Sequence, residues 1–419
     1  MEGILVKGGR RLEGIINISG AKNAALPIMA ASLLPHRGKT RLLNVPMVDD
    51  IQSLGRALVR LGAHVDLSEN CALIDNSNVN NHIMPLKESK EFRASVLVAG
   101  PLLAGFGQAL ITEPGGDLIG NRPIDLHIAC FRALGAKVRR VNKQYLRVEA
   151  DHLKGNEISL RFPSVGATEN LMMTACLAEG KTILKNAARE PEIVDLANFL
   201  TCMGARIKGA GSSTIRIDGV KELEGREYTV MPDRIETGTY IVAAAITHGN
   251  VSLKNSCLSP LRNVVSKLRK IGVKIEEVGE YVHIVSSSAF YSADLVTEVY
   301  PGFPTDMQPI VTPLLSVAKG ESTIKETIFN RRFNHAPELR KMGAKMHVRG
   351  DTIFIRGVSK LKGAEVRAHD LRSGGSLMLA ALAAEGCTAI RGVDQILRGY
   401  EKPVEKLKNV GAELSYIDK

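Results

Sequence analysis

One three-residue signature recurs six times along this 419-residue chain, and it limits what the chain can fold into. An apolar residue, a glycine and a small residue appear as Leu61-Gly62-Ala63, Leu134-Gly135-Ala136, Met203-Gly204-Ala205, Ile271-Gly272-Val273, Met342-Gly343-Ala344 and Val410-Gly411-Ala412. The glycines lie 68 to 73 residues apart. Each closes a helical pattern, where glycine serves as a left-handed C-cap. Alternating residues such as Ala63-His64-Val65-Asp66-Leu67 then open a strand. Upstream, each unit carries a small, apolar helix (Asn23–Leu34, Ser376–Glu385), a short strand (Thr40–Leu43) and an amphipathic helix (Asp50–Leu61). The chain is therefore read as α/β, built from six αβαβ-type modules, each too small to hold a core alone.

A chain of this length is expected to form two large domains. Three modules can close into one domain over residues 22–230, carrying a mobile loop at 114–123. The other three fall in residues 231–419, completed by N-terminal strands from residues 1–21. The crossings lie near Gly20–Lys22 and Met231–Arg234. Solenoid stacking is the rival architecture, but its usual periods are shorter and its end caps atypical.

The modules share a register at the start of their first helices. Counting back 37 to 42 residues from each glycine gives Lys22, Arg93, Gly166, Arg234, Asp306 and Arg372. Four of the six are cationic, which the helix dipole disfavours. A bound anion at those N-termini would resolve the conflict; solvated first-turn cations are the plainer explanation for any one of them. The net charge of +11 also points to an anionic partner. Nucleic acid is disfavoured, because Trp is absent and aromatics total 4%, leaving few platforms for stacking bases. Phosphorylated small molecules remain.

The start of the sequence lacks the apolar stretch of a signal peptide. Six scattered cysteines without a CxxC pair suit reduced thiols, so a cytoplasmic location is expected. The uncharged run Ala94–Thr112 approaches membrane-spanning length, but Gly100, Pro101, Gly105 and Gly107 interrupt it. A buried helix, a turn and a strand are expected there instead of a membrane span.

Several strings resemble the UDP-N-acetylglucosamine 1-carboxyvinyltransferase family. They are Ser19-Gly20-Ala21-Lys22-Asn23-Ala24-Ala25-Leu26-Pro27, the loop from Pro114-Gly115-Gly116-Asp117 to Asp125-Leu126-His127, and Ser164-Val165-Gly166-Ala167-Thr168. Ala188 to Asp195, Pro232 to Gly238, Phe303-Pro304-Thr305-Asp306-Met307-Gln308, Asp370-Leu371-Arg372 and Arg398-Gly399-Tyr400-Glu401 complete the set. The likeness runs essentially end to end. It implies the enolpyruvyl transferase fold, a two-domain inside-out α/β barrel of six repeats whose domains face each other across a substrate cleft. The implied reaction moves the enolpyruvyl group of phosphoenolpyruvate to the 3′-hydroxyl of UDP-N-acetylglucosamine. It passes through a tetrahedral ketal and is the first committed step of peptidoglycan synthesis. No cofactor or metal is implied, nor any nucleic-acid or membrane partner, and a monomer is expected.

The resemblance also assigns residues. Lys22, Arg122 and Arg398 match positions on the phosphate of phosphoenolpyruvate, and Arg372 a position at its carboxyl end. Asn23, Arg93, Asp125, Leu126, His127, Ser164, Val165 and Ile328 match the UDP-sugar site, and Pro123, Ile124, Gly166 and Arg332 match further substrate-binding positions. Asp306 matches the general base, or at least the group that orients the sugar hydroxyl; such a group is needed because an unactivated hydroxyl must lose its proton as it attacks. A simple N-cap aspartate before Met307 is the alternative. For His127 the plainer alternative is a structural histidine.

Two departures stand out. The family's loop commonly reads Gly-Gly-Cys, with the cysteine as general acid and as target of fosfomycin; here the position is Asp117. Asp117 can deliver a proton to C3 of phosphoenolpyruvate only as a protonated carboxyl, which a closed, phosphate-rich site favours and Arg122 opposes. Insensitivity to fosfomycin is expected. Phe162 stands where many relatives carry a lysine near the diphosphate, with Arg161 beside it. Three other functions are the alternatives: 5-enolpyruvylshikimate-3-phosphate synthase, a nucleotide-sugar sensor that has lost catalysis, and a nucleic-acid-binding repeat protein.

Overall fold

The computed structural model describes residues 2–35, 38–117, 119–120, 122–285 and 289–417. By its contacts the chain divides into two compact units. One comprises Met1–Ser19, Leu118–Asn121 and Pro232–Lys419, the other Gly20–Asp117 and Arg122–Met231.

In the first unit the central helices are α4 (Arg234–Ile246), α5 (Met307–Ser316) and α6 (Leu371–Ala383). In the second they are α1 (Lys22–Ala31), α2 (Ala99–Phe106) and α3 (Val165–Ala175). Their sequences explain the placement. Small and apolar residues surround each helix, and a helix apolar all round can only be interior. Every residue of α4 and α5 is buried, and α4, α5 and α6 pack on one another. In the second unit α3 packs against α2 and against a 3-10 turn at Arg93–Val98, which also meets α1. The uncharged run thus becomes a short helix, a left-handed Gly107 and the strand Gln108–Thr112. No described helix is long and apolar enough to cross a membrane.

The second helix of each repeat covers the outside with one face. In Asp49–Leu61 the buried apolar positions are Ile51, Leu54, Ala57, Leu58 and Leu61, a 3.6-residue period. All six signature glycines follow such helices with φ between 89° and 112°. A two-stranded antiparallel hairpin comes next. In the first repeat His64–Ser68 pairs with Cys71–Asp75. Its two-residue loop Glu69-Asn70 has positive φ at both positions, the primed turn that matches strand twist.

Among the described residues the strands form five four-stranded sheets and one three-stranded sheet. The three-stranded one, around Gln108–Thr112, gains a lone parallel bridge from Ile83 to Leu110 where the others have a fourth strand. In the first unit Gly3–Lys7 is inserted between Cys387–Arg391 and Glu413–Ile417, and Glu13–Asn17 runs parallel to Asn250–Lys254. Helix limits differ from the sequence expectation: Lys22–Ala31 for Asn23–Leu34 and Leu371–Ala383 for Ser376–Glu385. The first stops early because Ser32 and Leu33 tighten into 3-10-type turns, with Leu33 N–H on Ala30 O. The second starts earlier because Asp370 and Ser373 form a reciprocal capping box.

Candidate active site

The shared register survives in three dimensions. Lys22, Arg93 and Arg234 open their helices, Gly166 and Arg372 are second residues, and Asp306 is the N-cap of α5. The register residues therefore lie at the starts of helices, and each unit holds a group of its own.

In the second unit Lys22 is buried, with Nζ 3.0 Å from Asp50 Oδ2. Asn23 beside it is exposed. Arg93 is half-buried and donates from Nη2 to Pro123 O at 3.3 Å. Burial, then the charge of Arg122, lowers the Arg93 pKa to about 10. The positive charge of Arg122 thus bears on Arg93. Pro123 is exposed and Ile124 buried; Asp125 and Leu126 begin the helix Asp125–Ala133. Arg161 forms an ion pair with Asp125, so its charge is directed onto a neighbouring carboxylate, while Phe162 is 43% exposed.

His127 is 4% exposed, and burial, then the charge of Arg93, lowers its pKa to about 3. It is neutral at physiological pH, and Asn170 decides its tautomer. The Asn170 Oδ1 accepts from Gly100 N–H at 3.0 Å and its Nδ2 donates to Val96 O at 3.0 Å. Those two backbone groups fix the amide orientation. The same Nδ2 lies 2.8 Å from His127 Nδ1, which must therefore accept, leaving the proton on Nε2. A β-carbon at Gly166 would come within 3.1 Å of Cε1 and 3.3 Å of Nε2 of this ring. The imidazole edge thus lies against the first turn of α3, where Ser164 caps by accepting from Ala167 N–H and Val165 is the first residue.

In the first unit Asp306 is clamped. Arg332 Nη2 donates to its Oδ1 at 2.5 Å, and Arg372 donates to its Oδ2 from Nε at 3.1 Å and Nη2 at 2.9 Å. Its side chain makes no cap hydrogen bond, so a helix-capping aspartate does not describe it. Burial alone would raise its pKa, but the charges of Arg372 and Arg332 hold it well below the usual carboxylate range. Arg332 is steadied by Thr305 Oγ1 at 3.0 Å, which itself donates to Glu326 Oε2 at 2.9 Å. Glu326 Oε1 also accepts from the N–H of half-buried Ile328. Arg372 lies over the Tyr400 ring at 5.6 Å. Arg398 is not part of this clamp; among its contacts is Gln395 Oε1 at 3.4 Å.

The loop that carries Asp117 is braced. Gly115 N–H donates to Ser89 O, and a β-carbon there would sit 1.9 Å from Lys90 O. Gly116 and Gly120 have φ of +102° and +135°, and Ile119 O accepts from Arg331 N–H within the first unit. Asp117 itself is half-buried.

Comparison with known proteins matches residues 6–407 to the family described as EPSP synthase (3-phosphoshikimate 1-carboxyvinyltransferase). A relative from Caldanaerobacter subterraneus named UDP-N-acetylglucosamine 1-carboxyvinyltransferase 1 is 48% identical over 403 residues, covering 96% of each chain. One from Carboxydothermus hydrogenoformans, UDP-N-acetylglucosamine 1-carboxyvinyltransferase 2, is 46% identical over the full length of both. The chain belongs to the UDP-N-acetylglucosamine 1-carboxyvinyltransferase family. It is an enzyme of the carboxyvinyltransferase class. Its fold is that of the enolpyruvyl transferases: the structure of NikO from Streptomyces tendae, at 24% identity, superimposes with a TM-score of 0.90, covering 99% of this chain and 98% of that one.

Sequence reasoning missed several partners within this carboxyvinyltransferase. Asp50 reads as an ordinary first-turn acid of its helix, and nothing local pairs it with Lys22. Asn170 carried a usable signal, since the run Thr168-Glu169-Asn170 is polar inside an otherwise apolar helix. Thr305 and Tyr400 stood inside the quoted strings without a role.

Proposed function

We propose that this enzyme transfers the enolpyruvyl group of phosphoenolpyruvate to the 3′-hydroxyl of UDP-N-acetylglucosamine and releases phosphate, in the cytoplasm, at the entry to peptidoglycan synthesis. The acceptor rests on one observation, the near full-length identity of 46 to 48% to relatives named for it. The geometry supports the chemistry. Arg93, Arg122 and Lys22 supply positive charge in one unit, alongside the Nε2–H of His127, for a nucleotide diphosphate and a phosphoryl group. In the other unit Asp306 takes the proton of the sugar hydroxyl as its oxygen bonds to C2, and Arg372, with Arg398, holds the acid groups of phosphoenolpyruvate. A protonated Asp117 gives its proton to C3. The resulting ketal then loses phosphate from C2 and a proton from C3, which restores the enol ether. Every electron pair is accounted for without a redox partner.

A second acceptor has one specific ground, because the matching family model is described as a 3-phosphoshikimate transferase. Phosphate release from phosphoenolpyruvate, measured with UDP-N-acetylglucosamine or with shikimate 3-phosphate, separates the two. Release with the nucleotide sugar alone is expected. Release with the shikimate alone would replace the acceptor, and release with neither would leave a binding protein without turnover.

A further inference from the structure

The chemistry of a base makes the Asp306 clamp a problem. A carboxylate accepts a proton from a hydroxyl only if a lone pair faces that hydroxyl and its charge is not already spent on stronger partners. Here one guanidinium holds each oxygen. The three side chains carry a net charge of +1, with both arginine side chains about 5% exposed and the aspartate 26% exposed. An anion approaching this unit meets the clamp from the aspartate's side. Arg332 Nη2 and Arg372 Nε and Nη2 all point at Asp306, so an anion that uses these donors must take them from it.

The two arginines are held differently. Arg332 spans two acceptors, Asp306 Oδ1 and Thr305 Oγ1, and its ring neighbour Phe329 lies 5.2 Å below the guanidinium. Releasing it would break a braced arrangement. Arg372 also lies over a ring, that of Tyr400 at 5.6 Å, but directs both Nε and Nη2 onto the single oxygen Oδ2. A guanidinium fork is satisfied better by a carboxylate that offers two oxygens side by side. An incoming carboxylate therefore has something to offer Arg372 that Asp306, pinned on its other oxygen, does not.

We propose that Arg372 is exchanged, pairing with Asp306 in the free enzyme and with the substrate carboxylate in the complex, so that the carboxylate substrate itself frees the base. Arg332 stays on Oδ1 and keeps the side chain aimed, while Oδ2 is left open to the sugar hydroxyl. The base is thus inert until phosphoenolpyruvate is in place. This inference rests on the reading that phosphoenolpyruvate presents its carboxylate to Arg372.

The exchange makes Asp306 an internal competitor of phosphoenolpyruvate, and that can be measured without turnover. If the clamp occupies Arg372 nine-tenths of the time, removing it raises affinity about tenfold. Equilibrium dialysis of phosphoenolpyruvate against the full-length enzyme without acceptor should show tighter binding to Asp306→Asn than to wild type, while turnover is lost. The gain must vanish when Arg372→Gln is added, because the competition is for that side chain. Unchanged or weaker binding to a variant that melts cooperatively would overturn the exchange and leave the base assignment intact. Tighter binding that persists without Arg372 would reduce the effect to simple repulsion and also overturn it. Turnover retained in Asp306→Asn would remove the base role while the binding comparison still decides the exchange. Should Asp306→Asn not fold, Asp306→Ser makes the same comparison.

Discussion

A carboxylate at position 117, where the family resemblance leads one to expect a thiol, separates two properties that a cysteine combines. A thiolate attacks an epoxide readily, whereas an aspartate in that place can still transfer a proton. Fosfomycin should therefore leave the wild-type enzyme unmodified, and Asp117→Cys should acquire time-dependent inactivation with a mass adduct equal to the intact drug. Asp117→Ala should lower turnover by about two orders of magnitude, the usual worth of a general acid. Glu169 offers a second test at this scale. It lies within α3, 4% exposed, and burial, then the charges of Glu192 and Glu190, raises its pKa from 4.5 to about 8. The folded state thus holds the proton more tightly than the unfolded chain. Its contribution to stability is complete below about pH 4.5 and lost as pH rises to about 8. Each pH unit in that window costs the wild type about 1.4 kcal/mol. Glu169→Gln cannot ionise, so its melting temperature should exceed that of wild type by a margin that widens from pH 5 to pH 8. A margin independent of pH would show that Glu169 does not titrate in the fold.

At the scale of single elements, the left-handed glycines that end the second helices were legible because their requirement is local. A residue with φ near +100° must lack a β-carbon or carry strain, whatever surrounds it. Their environments differ. Around Gly204 nothing lies within 4 Å of the position a β-carbon would take, whereas at Gly62 that carbon would meet Asn78 O at 2.6 Å and Val79 Cα at 3.1 Å. Gly204→Ala should therefore cost only the backbone strain, about 1–2 kcal/mol. Gly62→Ala must also displace a backbone segment, and its melting temperature should fall further. Equal losses would mean that the segment 78–80 yields freely. The role of Asp306 was not legible in the same way. An aspartate before a helix is ambiguous between cap and reagent until the partners of both its oxygens are known, and those partners lie 26 and 66 residues away. The pairing of Lys22 with Asp50 was hidden for a related reason: an acid in a first turn is what any helix prefers.

The whole molecule shows where periodicity stops informing. Six repeats and their order of helices and strands can be read from spacing, because each repeat answers to the same local rules. Which strand completes which sheet cannot, since Gly3–Lys7 finds its neighbours more than 370 residues away. That strand is not a trim on the edge. It lies between Cys387–Arg391 and Glu413–Ile417 in antiparallel register with both, and Ile4 and Val6 are fully buried. Removing it would expose two strand edges and return two side chains to water, each worth roughly 1.5–3 kcal/mol. Residues 1–8 should thus be indispensable to the first unit and irrelevant to the core of the second. In a chain lacking them, amide exchange should accelerate in Cys387–Arg391, Glu413–Ile417 and the strands around Asn250–Lys254. Protection in Thr40–Leu43, Cys71–Asp75 and Lys181–Lys185 should persist. Uniform loss of protection would mean that the two cores unfold as one cooperative body. Unchanged protection would mean that the sheet of Cys387–Arg391 and Glu413–Ile417 stands without its inserted strand.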